Sequence, residues 1–139
     1  MSRYLRAFAI LIMIRGSYAV ALFVAVSLHR ADLANPLGIT GYFDDLTRNL
    51  PIWLTVAWFT YSVGYLASGW LALRGQRIAL WTYALAMAID FSIWVLAATN
   101  TRYDMIGSGS VAVTDMFFNT LDLIILLGLA VLAFNKDLR

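Results

Sequence analysis

Four long apolar stretches, Leu5–Leu28, Pro51–Leu73, Ile78–Ala98 and Val113–Phe134, constrain this chain more than any other feature. Each reaches the length of about 20 residues that a helix needs to cross a hydrocarbon core. Backbone N–H and C=O groups cannot stay unpaired in lipid, so spans of this length read as α-helices. The alternating pattern of a membrane β-barrel is missing. Composition agrees: 62% of the 139 residues are hydrophobic and 13% are charged. A soluble domain has about 45–50% apolar and about 25% charged residues, so this chain lacks the polar surface to cover a soluble core. The expected fold is all-α, an integral membrane antiparallel four-helix transmembrane bundle, with residues 1–139 as one domain.

Arg3 and Arg6 before an apolar run imitate a secretory signal. The run extends well past a signal's apolar region and Arg15 interrupts it, so it reads as a permanent first span. Lysine and arginine counts set direction. Arg3, Arg6, Arg74, Arg77, Lys136 and Arg139 fall on one side, and Arg30, Arg48 and Arg102 on the other, together with Asp32, Asp44, Asp45 and Asp104. The first side is expected to be cytoplasmic, with both termini there, in a bacterial inner membrane.

The connections differ in character. Arg74-Gly75-Gln76-Arg77 is short enough for a tight turn, which makes spans two and three antiparallel neighbours. In the longer connection, residues 29–50, Phe43, Leu46 and Leu50 recur at helical spacing, with Asp44, Asp45 and Arg48 on other faces. That pattern fits a short interfacial helix, with Pro51 opening the second span, or else an irregular loop with chance apolar residues. Residues 99–112, with Gly107-Ser108-Gly109-Ser110, read as a flexible connection ending in a helix cap.

Three ionisable residues lie deep in the spans: Arg15, Asp90 and Asp122. At a rise of about 1.5 Å per residue, Arg15 and Asp90 lie about 15 and about 18 Å from the cytoplasmic ends of spans one and three. Span four runs inward, and Asp122 lies about 16 Å from the inner side of a core of roughly 30 Å. The three therefore share one layer near the midplane. Each costs about 2.5–3.5 kcal/mol on insertion scales, so they should turn away from lipid and pair, Arg15 with Asp90, Asp122 or both. One cation faces two carboxylates, so one Asp takes a proton or another cation completes the charge.

Asp115, Asn119 and Asp122 are spaced i, i+4, i+7 on span four, and Tyr83, Met87, Asp90 and Trp94 share a face of span three. Together Asp115, Asn119 and Tyr83 outline a polar path toward the layer. Span two adds Thr60, Tyr61, Ser62 and Tyr65. Small residues let helices approach closely, and Ala21–Ala25, Gly64–Ser68 and Ala84–Ala88 have the required spacing. Trp53, Trp70, Trp81 and Tyr103 mark span ends, whereas Trp58 and Trp94 lie deeper, as bundle core or against a pigment or quinone ring.

Function classes narrow by what the residues permit. Cysteine is absent and His29 is the single histidine, which removes thiol chemistry and paired-histidine ligation within one chain. A lone His at a span end reads as a surface residue more readily than as a ligand for a metal or a pigment. No lysine lies inside a span and no basic stripe with interleaved aromatics occurs, against a Schiff base or nucleic-acid binding. No cofactor is implied, and no nucleophile-and-base set for an enzyme. The partners expected are the lipid bilayer and other membrane subunits or further copies of the chain. Two readings follow: a non-enzymatic subunit or accessory of a larger membrane assembly, or a small oligomeric proton- or cation-coupled transporter using the Arg15–Asp90–Asp122 layer.

Overall fold

Glycine, proline and one strained aspartate set the helix boundaries. A computed structural model describes residues 3–98 and 109–135. Five helices occur among them: α1 (Arg3–Arg30), α2 (Tyr42–Arg48), α3 (Ile52–Leu73), α4 (Ile78–Ala98) and α5 (Gly109–Phe134). α1 ends with Arg30 in its last turn, a favourable charge for a helix C-terminus. Asp32 then takes a left-handed backbone, φ 55°, while the Leu33 amide reaches back to the Leu28 carbonyl. Pro51 caps the start of α3, and its carbonyl accepts from the Leu54 and Thr55 amides.

The turn after α3 needs its glycine. Gly75 has φ 70°, its amide donates to Ala72, and the Gln76 amide donates to Leu71. This is the paired closure that satisfies the last carbonyls of a helix and requires a left-handed residue. α4 follows at once and packs on α3.

Three helices are long and apolar enough to cross a membrane, over Arg3–Arg30, Ile78–Leu96 and Val113–Phe134. α3 is the exception. Its 22 residues carry no charge, but Trp, Tyr, Ser, Thr and Gly dilute its apolar character. It is nonetheless the centre of the bundle, packed closely on both α1 and α4, while α5 lies more loosely against α4 and α1.

Small residues allow that closeness, since lipid gives apolar helices no hydrophobic reason to associate and packing must supply it. A Cβ on Gly16 would stand 2.7 Å from the Leu66 backbone nitrogen, and one on Gly69 2.8 Å from the Met13 sulfur. α1 and α3 are thus antiparallel at near-backbone contact. The fully buried apolar residues gather at the end of the bundle where α1 begins and α3 turns into α4: Leu5, Ala9, Ile12, Ala72, Ala79, Ile125 and Leu129.

Candidate functional site

Arg15, Asp90 and Asp122 meet, from α1, α4 and α5, at the boundary of that packed end. Arg15 contacts both acids. Its Nε donates to Asp122 Oδ1 at 3.1 Å, and one terminal nitrogen donates to Asp122 Oδ2 and Asp90 Oδ2, each at 2.9 Å. The guanidinium also lies over the rings of Tyr65 and Phe118, at 4.7 and 4.9 Å.

Two tyrosines complete the layer. Tyr83 donates to Asp122 Oδ1 at 2.6 Å, and the Tyr65 hydroxyl lies 3.0 Å from Asp122 Oδ2 and 3.1 Å from Asp90 Oδ2. A carboxylate has about four acceptor positions, so Asp122 is saturated. Asp90 is not. Its Oδ2 carries both contacts, and among the described residues its Oδ1 accepts no hydrogen bond. Asp122 is 1% exposed and Asp90 20%, so the two acids differ in access as well as bonding.

The exposed side of Asp90 opens onto space. A cavity of about 110 Å³ adjoins Arg15 and is bordered by Asp90, Asp115 and Asn119. A second, of about 730 Å³, shares Trp58, Tyr61, Asp90, Trp94 and Asp115 with the first and runs to the connection before α2. The bundle is therefore packed on one side of the charged layer and open on the other. Trp58 and Trp94, on the walls of both cavities, have buried indole N–H groups with no partner among the described residues.

The remaining residues named from sequence are placed as follows. Asp115 and Asn119 line the smaller cavity, whereas Tyr83 comes from the packed side and caps Asp122 from beneath, away from both cavities. Gly64 approaches Ala86, and Ser68 is fully buried and donates to the Ala79 carbonyl at 2.7 Å. Ala25 and Ala84 are half-buried, and Ala21 and Ala88 are exposed. Trp53, Trp70 and Trp81 are exposed, with Arg74 stacked on Trp70. Tyr103 and residues 99–108 of the last connection lie outside the described residues, and α5 already includes Gly109 and Ser110.

Sequence reasoning left Tyr65 without a partner. The depth count that found the acids also finds it, about 12 Å along α3 from Leu73. Gly16, Gly69 and Gly128 were likewise not singled out, because close approach depends on which face meets a neighbour.

At the far end, the expectation that His29 is a surface residue needs correction. His29 is buried, 6% exposed, and its Nε2 lies 2.6 Å from Asp44 Oδ1. α2 folds back over the end of α1, and Arg48 joins Asp44 and Asp32, each at 2.8 Å. Arg48 holds both carboxyls below their ordinary range, chiefly by its hydrogen bonds, and the same hydrogen bonds push the guanidinium pKa up. Phe43 and Leu46 of α2 line the large cavity. No family model, curated protein or solved structure matches the chain.

Proposed function

We propose that the chain is a four-span protein of a bacterial inner membrane, with both termini cytoplasmic, acting as a non-enzymatic subunit or accessory of a larger assembly. In this reading α3 is the fourth span. Being the innermost helix, it tolerates polar residues because Ser62, Tyr65 and Ser68 are buried against neighbouring helices rather than lipid.

The observation that carries the reading is the saturation of Asp122 by groups of the same chain, Arg15, Tyr65 and Tyr83. A buried carboxylate with its acceptor positions filled fixes the register of α1 against α5 through its pair with Arg15. It is poorly suited to release and rebind a passing ion. Large apolar side chains along the outer faces, such as Trp81, Leu85, Met116, Phe117 and Leu127, are left for lipid or for partner helices. The test is gentle extraction of native membranes carrying a tagged copy, followed by native electrophoresis and mass spectrometry. Co-migration with a large complex is expected, and migration as the isolated chain or a small homo-oligomer would overturn the assembly reading.

A second reading, a proton- or cation-coupled transporter, draws on the free Oδ1 of Asp90 and the cavity beside it. Flux in proteoliposomes separates the two. Loss of transport in a folded Asp90→Asn protein would favour the transporter, and unchanged flux would remove it.

A further inference from the structure

We propose that the large cavity binds a hydrophobic organic cation, an ammonium or phosphonium centre on an aromatic or alkyl body, with Asp90 and Asp115 as its counter-charges. The proposal goes beyond the assembly reading and does not depend on it.

Size and lining come first. Small-molecule sites occupy about 300–1,000 Å³ and are mostly apolar with a few placed polar groups. This cavity, about 730 Å³, is walled by aliphatic and aromatic side chains, among them Leu22, Phe43, Trp58 and Trp94. It takes an apolar body of drug-like size.

Charge decides the rest. Among the described residues that line it are two carboxylates, Asp90 and Asp115, and no Arg, Lys or His. The Arg15 guanidinium is engaged by Asp122 through Nε and one terminal nitrogen, and gives Asp90 one hydrogen bond from that same nitrogen rather than a two-point pair. Asp90 Oδ1 is unused among the described residues, and so is the carboxyl of Asp115. A negatively charged apolar chamber favours a positive ligand, and tryptophan rings add attraction for a cation whose hydration shell is weak.

Other occupants fit less well. A bare metal ion wants several oxygen ligands, and no group of three His, Cys, Asp or Glu residues able to hold one occurs among the described residues. A proton on Asp90 would neutralise it but needs no chamber. A phospholipid ammonium stays at the membrane surface, whereas Asp90 lies near the middle of α4.

The test uses the full chain in nonionic micelles with two probes of one shape and opposite charge, tetraphenylphosphonium and tetraphenylborate. Binding is read from tryptophan fluorescence, corrected for empty micelles. The phosphonium is expected to bind at least tenfold more tightly than the borate. Asp90→Asn and Asp115→Asn should each weaken it at least tenfold, and Leu22→Trp, which fills the chamber, should abolish it. Asp115 forms no hydrogen bond with Arg15 among the described residues, so Asp115→Asn serves if Asp90→Asn does not fold. Equal affinity for the two ions, or phosphonium binding undiminished in Asp115→Asn, would overturn the proposal.

Discussion

Arg15 and Asp122 form a two-point ion pair across the bundle, Nε to Oδ1 at 3.1 Å and a terminal nitrogen to Oδ2 at 2.9 Å. Parallel bonds of this kind fix direction as well as distance, since both groups are planar. The pair joins the first and last long helices, whose packing is otherwise loose. Much of the placement of α5 rests on it.

Removing one partner should therefore be severe. Arg15→Ala leaves Asp122 buried with no cation and is expected to cost about 3–5 kcal/mol, the usual effect of stranding a buried charge. Thermal unfolding in micelles and the yield of folded protein measure it. The double variant Arg15→Met with Asp122→Leu should recover part of the loss. Recovery stays incomplete, because the Tyr83 hydroxyl loses its acceptor and Asp90 loses its cation.

Tyr83→Phe deletes one of the four donors to Asp122. Hydrogen bonds to charged groups contribute about 1.5–3 kcal/mol, and a loss in that range is expected. Tyr65→Phe should cost a similar amount and leave Asp90 with Arg15 as its one donor among the described residues. An unfolding midpoint unchanged in both variants would show that the ion pair alone holds the layer.

Substitutions at glycine should rank by what the new methyl meets. Gly16→Ala presses on the Leu66 backbone, which cannot move aside, and should cost about 1–3 kcal/mol as overpacking. Gly64→Ala meets the Ala86 methyl at 3.0 Å and should cost less. Gly128→Ala meets the Phe8 ring, including Cζ on its rotation axis, so relief requires the whole side chain to swing aside. The order of midpoints, Gly16→Ala lowest, checks this.

Acid should loosen the α2 end first. Asp32 and Asp44 have lowered pKa values in the fold, because Arg48 hydrogen-bonds their ionised forms. Their contribution is present above the ordinary carboxylate pKa of about 4 and disappears as pH falls through the lowered values. His29 also faces Asp44, and Arg30 is occupied by Thr55 and the Leu50 carbonyl. Hydrogen exchange in residues 31–50 should rise below about pH 4 while the packed core stays protected. In Asp44→Asn that rise should be smaller, starting from faster exchange at neutral pH.

Depth in the membrane follows from counting residues, because helical rise is constant. Sequence alone thus brought Arg15, Asp90 and Asp122 to one level, required that they pair, and placed the long helices and the glycine turn at Gly75. The angular position of each residue was a different matter. Helices apolar on every side show no face that must turn inward, so nothing in the sequence said which acid Arg15 would saturate, or that Tyr65 and Tyr83 would converge on Asp122. Nor could it reveal that His29 would be buried against Asp44, since that depends on α2 folding back over α1. Only tertiary packing set those rotations, through the close fit of Gly16 and Gly69 against α3 and α1. The same packing closed one end of the bundle, left Asp90 facing an open chamber, and made two acids at equal depth unequal in chemistry.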